Sequence, residues 1–335
     1  MSQDIRDLIP EPCDLLALGE PTHQEPAFGA IRNELFAQLV ALGFRSIVAE
    51  TDRVAAFAVD DYVLHGTGSL DSVLREGFSH GFGALEANRR LVAWLREYNM
   101  DRPERERVTF HGFDAPTENT SAPSPKSYLE YARDYLRVEH LDIAGIAGDD
   151  RRWSRAEAVL DFAMSMGGTP EAGRLREIGE DLRTRLYARA PELIAATSRA
   201  EWLRVRARLE AGLGLLHYHW QAAQPLGQSD RFRLLLTTRD TLMHATCSTS
   251  AASRRRAARP CSSATTVTCA EPVGPGALPA RAPTGSAPER SSTPWGSAAT
   301  SASRRVWAAV RFSNSTSPGR TPSKVSCNAA SPTGA

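Results

Sequence analysis

Residues 14–50 place an apolar run, an amphipathic stretch and a second apolar run within about forty residues, and few folds accept that order. "DLLAL" (14–18) reads as a buried strand. From Pro26 to Leu42, apolar side chains recur at Phe28, Ile31, Leu35, Leu39 and Leu42, which is helical spacing. Pro26 suits a first helical turn and Gly43 a stop. "RSIVAE" (45–50) is the next short apolar run. A strand–helix–strand unit of this length joins neighbouring parallel strands, so the chain is expected to be α/β with a parallel sheet.

The pattern then changes. "NRRLVAWLREYN" (88–99) predicts a second amphipathic helix, and "RVTFHGFD" (107–114) a third strand. A Pro/Ser-rich loop (116–125) leads into residues 127–222, where repeated Arg/Glu and Leu/Ala spacing predicts helices inserted as a cap over the sheet. From His244 onward, neither a period of two nor one of 3.6 is visible, and Ala, Ser, Thr, Pro, Gly and Arg dominate. Such a stretch buries too little apolar surface to offset its ordering entropy, so residues 244–335 are expected to form a disordered tail behind a folded domain of residues 1–243.

Charge follows the same boundary. The overall balance of +1 conceals eleven basic and two acidic residues in 244–335, against 29 basic and 37 acidic in 1–243. An acidic folded part gives no electrostatic reason to expect nucleic acid. The five cysteines form no CxxC pair and join no His cluster, so neither a disulfide framework nor a zinc site is indicated. The start, "MSQDIRDLIPEP", has no charged segment followed by an apolar one, and no stretch has transmembrane length. A cytoplasmic monomer with no membrane partner and no cofactor is the expectation.

Three expected strands end in polar residues: "ALGEPTH", "VAETD" and "HGFD". Ligands of an open parallel sheet bind outside the carboxyl ends of its strands. Glu20, His23, Glu50, Asp52 and Asp114 would then share one rim. A carboxylate on one imidazole nitrogen fixes the tautomer and frees the other nitrogen to take a proton from water. Arg32, beside the apolar stripe of the first helix, would hold a developing oxyanion. Each residue also has a plainer reading. Glu20 suits a helix N-terminus, His23 a turn, Arg32 a solvated helix face and Asp114 the turn before Pro116. A divalent ion held by Glu20, His23, Glu50 and Asp114 is the rival chemistry. "HYHW" (217–220) sets its two histidines on different sides of a helix and is set aside.

These residues carry a resemblance to the erythromycin esterase family. The matching stretches are "LGEPTH" followed by Arg32, "IVAE" ending at Glu50, "GFSHGFGALEANRRLVAWLREYN", "VTFHGFD", and "RDTLM" at 239–243. They occur in the family's order over residues 10–243. The resemblance implies metal-independent opening of an ester or macrolide lactone by a His-activated water, and hence macrolide resistance. It makes His23 the base, with Glu20 and Glu50 orienting or polarising. It also implies that Arg32, Asp114 and Arg239 serve the substrate, a small ester or lactone.

The family continues "RDxxMAxN" and supplies a further histidine from a His-Asn-x-His strand end about twenty residues on. This chain has "RDTLMHATC" and no such motif after it. The genetic code relates the two. If one base is lost after the Met243 codon, Met243 into His244 restores an alanine codon, and the restored text can be Met-Ala-x-Asn-Leu-Leu. In the same frame "SSATTVTC" (262–269) allows Val-Gly-His-Asn-Arg-His-Leu. Lys126 and Lys324 are the only lysines among forty basic residues, as expected of a GC-rich gene whose alternative frames stay open. The sequence therefore reads as an esterase domain with a frameshifted C-terminal part and impaired activity. A metal-dependent hydrolase and a non-catalytic binding protein are the alternatives.

Overall fold

A computed structural model describes residues 9, 15–20, 22, 24–255, 265–270, 308–311 and 327–328; for Glu20 and for residues 245 onward it describes backbone alone. The first unit follows the sequence closely. β1 (Leu15–Glu20) leads to α1 (Pro26–Ala41) and then β2 (Ser46–Asp52). Pro26 occupies the first turn of α1, the Glu25 side chain caps it by accepting from Ala27 N, and Gly43 turns the chain out with φ at 101°. The buried side of α1 differs from the expected stripe. Phe36, Leu39 and Val40 are buried, whereas Ile31 and Leu42 are exposed. The reason is that α1 faces two neighbours: Leu39 packs with Leu16 and Leu18 of β1, while Phe36 meets Trp94 edge-on.

Between β2 and the third strand the chain forms α2 (Ala56–His65), α3 (Leu70–Gly77) and α4 (Glu86–Met100), of which the sequence reading anticipated only the last. Together they cover one face of the sheet. Ile47 and Ala49 of β2 and Phe110 of β3 (Thr109–Asp114) pack beneath Val59, Val63, Leu74, Leu91 and Leu95. Each fully buried side chain of this kind contributes about 1.5–3 kcal/mol relative to exposure. On the opposite face Val48 and Phe113 pack with Leu15 and with Met243 of α12 (Gln228–Arg255).

Within the described residues the strands run in the order β3-β2-β4-β1-β5-β6, where β4 is Thr265–Ala270, β5 Ala308–Arg311 and β6 Cys327–Asn328. All neighbours are parallel except β5 and β6. The expected α/β class with a parallel sheet and inserted helices is therefore present. β3 closes one end of this order, and polar side chains engage backbone groups at and just before it. Asp60 accepts from Phe110 N at 2.9 Å, and Asn99 both accepts from Val108 N and donates to Val108 O at 2.8 Å. Groups so engaged are not available to another strand.

Residues 126–222 are mainly helical, as their spacing predicts. α5 (Lys126–Leu136), α9 (Pro170–Ala188) and α11 (Arg199–Ala222) carry most of this region, with the shorter α6 (Ile143–Ala147), α7 (Arg151–Ser154), α8 (Ala156–Leu160) and α10 (Ala190–Ala196) between them. They have a core of their own, in which Leu129, Trp153, Leu175, Leu182, Leu209 and Leu216 are buried. The indole of Trp153 is fully enclosed and donates to Ala147 O at 2.9 Å. Two seams join this region to the rest. Leu215 and Tyr218 pack with Leu235 of α12, and Arg204 pairs with both carboxylate oxygens of Asp61 on α2.

The break in composition after Met243 has no counterpart in the backbone of α12, which continues to Arg255. Of the expected tail, β4 lies in the sheet between β1 and β2, and its sequence "TTVTCA" is rich in the β-branched residues that suit a strand. Residues 256–264, 271–307, 312–326 and 329–335 lie outside the described residues, so the expectation for them falls there too. No described helix is long and apolar enough to cross a membrane.

Candidate active site at the strand ends

The C-terminal ends of β1, β4, β2 and β3 lie along one edge, because all four strands are parallel neighbours. This sets Glu20 at the same rim as the end of β2 by backbone position. The Glu20 side chain and all of His23 lie outside the described residues.

Close to the end of β2 the ladder with β3 shifts register between Ala49 and Asp52. Gly112 makes the shift possible. A side chain there would collide with the Thr51 carbonyl and meet Asp52 O at 2.7 Å. Thr51 and Asp52 then tie down the segment after α3. Ser79 N donates to Thr51 Oγ1 at 2.8 Å, and Asp52 N donates to Ser79 Oγ at 3.0 Å. The next residue, His80, adopts φ of 56°, a left-handed conformation uncommon outside glycine and asparagine.

His80 thereby enters the rim. Its Nε2 lies 2.8 Å from Asp114 Oδ2 and its Nδ1 2.6 Å from Glu118 Oε2, while its backbone N donates to Glu118 Oε1 at 3.1 Å. Arg239 approaches from α12 on the other face. Its Nε donates to Asp114 Oδ1 at 3.0 Å and its Nη2 to Asp114 Oδ2 at 2.5 Å, with the same Nη2 3.6 Å from Glu50 Oε1. The Asp114 side chain is fully enclosed, and the Glu50 and Arg239 side chains are mostly so.

The electrostatics follow from these contacts. The hydrogen bond to Asp114 raises the His80 pKa above the usual histidine value; the charges of Asp114 and Glu118 help, against burial and Arg239. Two ring nitrogens facing two carboxylates can both donate only in the imidazolium form. Burial pushes the Asp114 carboxyl up, but its bonds to His80 and Arg239 outweigh that and hold it below the usual carboxylate value. Asp52 shows the contrary balance. Burial lifts it to about 6 despite hydrogen bonds from the Val54 and Ala55 backbone, and the charges of Asp114 and Glu118 add to the rise. One rim thus holds an ionised carboxylate, Asp114, beside a carboxyl that retains its proton into mildly acidic solution, Asp52.

Of the residues singled out in the sequence, Glu50, Asp52, Asp114 and Arg239 come together. Arg32 donates to Asn33 Oδ1 and to Asn88 Oδ1, the latter at 2.8 Å, and so also binds the start of α4. His217 is exposed and His219 buried, on different sides of α11. Sequence reasoning gave His80 and Glu118 no role. The one local signal was the turn-forming "SHG" at 79–81, which marks a bend but not the partners it meets. Among the described residues, no group of three or more His, Cys, Asp or Glu is arranged to hold a metal ion.

Polar strand ends on a parallel sheet, with helices inserted after the third strand, define an α/β protein whose polar side chains gather at one rim. The comparisons make this specific. The erythromycin esterase family model matches residues 40–262, and the chain belongs to that family. Solved structures of similar fold include a Bacillus cereus protein (TM-score 0.54, 18% identity, covering 80% of this chain and 60% of that one). A succinoglycan biosynthesis protein is similar at TM-score 0.53 and 15% identity, with coverage of 80% and 60%. An erythromycin esterase, EreC with a His-to-Asn substitution, in its open conformation, is similar at TM-score 0.51 and 18% identity, with coverage of 77% and 61%. The chain thus spans about three fifths of the length of these structures. None of the curated proteins matches it in sequence.

Proposed function

We propose that the rim is a hydrolytic site that opens an ester or macrolide lactone with a water activated by His23. Family membership supports the reaction class, and one solved relative bears the name erythromycin esterase. The observation that carries the reading is Arg239 Nη2 at 3.6 Å from Glu50 Oε1, with Arg239 itself fixed by Asp114. A carboxylate held beside a fixed guanidinium can orient a histidine or a water. In this reading His23 is the general base, Glu20 and Glu50 orient it, and Arg32, Asp114 and Arg239 shape the substrate side.

The chain as written is proposed to work poorly, because residues after Met243 are read out of frame and lack the family's second histidine. The two motifs recovered in one shifted frame support this, although both α12 and the family match run through Met243. A simple aryl ester and a macrolide should be assayed with the unaltered chain, His23→Ala and Glu50→Gln, alongside metal analysis of the purified protein. Loss of turnover in both variants with no stoichiometric metal is the expected result. Full turnover without His23, or dependence on a bound metal, contradicts it.

A further inference from the structure

His80 is absent from the reading above, yet four polar contacts of the rim meet at this residue. It lies outside regular structure, in a segment pinned to β2 through Thr51 and Ser79. Its side chain is only 11% exposed and joins three parts of the chain. Asp114 belongs to β3, Glu118 to the loop that follows β3, and Arg239, whose Nη2 lies 3.2 Å from His80 Nε2, to α12. The Phe82 ring lies beside the imidazole at 5.6 Å. His80 Nε2 and Arg239 Nη2 converge on the same oxygen, Asp114 Oδ2. Two donors on one oxygen fix the carboxylate plane, and that plane fixes the guanidinium.

We propose that His80 is a positioning residue of the site, bridging Asp114 and Glu118 so that Arg239 is held towards Glu50 and the loop after β3 is fastened over the rim. The proposal rests on the hydrolytic reading for its kinetic consequence and on geometry alone for the bridge.

The bridge requires the imidazolium form, since a neutral ring donates from one nitrogen only. Every charged group facing His80 bears on this: Asp114 and Glu118 favour the cation and Arg239 opposes it, while Asp52 stands near the two carboxylates. The bridge is therefore complete in the imidazolium form and loses one bond as pH rises through the His80 pKa, which the bond to Asp114 raises above the usual histidine value. Turnover should show a descending alkaline limb for this reason. A residue that merely filled space would give no such limb.

His80→Asn is the primary variant, because asparagine tolerates the left-handed backbone while removing the second donor. The expected result is a kcat lower by about 10- to 100-fold with KM little changed, the scale of a displaced positioning contact. The alkaline limb should disappear. Glu118→Gln, at a half-exposed position, removes one of the two anions and should move the limb to lower pH without abolishing it. The bridge itself is read independently of turnover by NMR. His80 ring nitrogens should titrate above the ordinary histidine value, and the Arg239 Nε proton should exchange faster in His80→Asn than in the unaltered protein. If neither the unaltered chain nor the chain with one base restored after Met243 hydrolyses an ester, the hydrolytic reading fails and the Arg239 exchange rate alone decides the role of His80. If His80→Asn does not fold, the Glu118→Gln titration decides it. Unchanged Arg239 exchange and an unchanged pH profile overturn the proposal.

Discussion

Asp114 at the end of β3 and Arg239 within α12, 125 residues apart, bind each other through both oxygens of an enclosed carboxylate. The pair clamps a helix from one sheet face to a strand end that also meets a histidine from the other side. Breaking an enclosed pair by neutralising one partner strands the other charge, at a cost of about 3–5 kcal/mol.

Asp114→Asn should accordingly lower the urea midpoint by an amount equivalent to about 3 kcal/mol. Acid should expose the same dependence. The Asp114 pKa is lowered on folding, so its contribution is present above the unfolded value of 3.8 and is lost as pH falls through the depressed folded value. Urea titrations of both proteins at pH 7 and near pH 3 check this, and their difference should shrink at the lower pH.

Asp52 predicts the opposite slope. Its folded pKa is raised to about 6, so the folded state holds the proton more tightly than the unfolded chain. Its contribution is fully present below pH 3.8 and diminishes as pH rises towards 6. Asp52→Asn retains an acceptor for Val54 N, which Asp52 Oδ1 now meets at 2.8 Å, but never ionises. The variant should be more stable than the unaltered protein at pH 8 and nearly equal to it at pH 4. A thermal melt at each pH measures the difference, and equal shifts at both would count against a protonated Asp52.

Gly112→Ala tests the register shift that delivers Asp114 to the rim. The new methyl would press on the Thr51 and Asp52 carbonyls, which are backbone and cannot rotate away. A loss of about 1–3 kcal/mol is expected, the usual scale of overpacking in a filled interior. Turnover should fall further than stability alone accounts for, since Asp114 is two residues away. Chemical denaturation and kinetics on the same preparation separate the two effects.

Local elements were legible because their signals are local. The Pro26–Gly43 bracket marked α1, and the apolar runs before Glu50 and Asp114 marked β2 and β3 to within two residues. α2 and α3 were missed. The strand pattern before them and the helix after them drew the reading past residues 53–85, although Ser69 and Ser72 form a capping box there. The convergence of Glu50, Asp52 and Asp114 was legible from parallel topology alone. The Asp114–Arg239 clamp and the role of His80 were not, because one joins distant segments and the other depends on a left-handed backbone angle that a Ser-His-Gly turn permits without requiring.

The most direct test of the hydrolytic account compares four proteins at matched soluble concentration: the chain as written, the chain encoded with one base restored after Met243, and each of these with His23→Ala. The account predicts that the restored protein hydrolyses a macrolide or simple ester far faster than the chain as written, and that His23→Ala removes this excess. Equal, His23-dependent turnover by the two frames would contradict the reading of residues 244–335, and turnover indifferent to His23 would contradict the site.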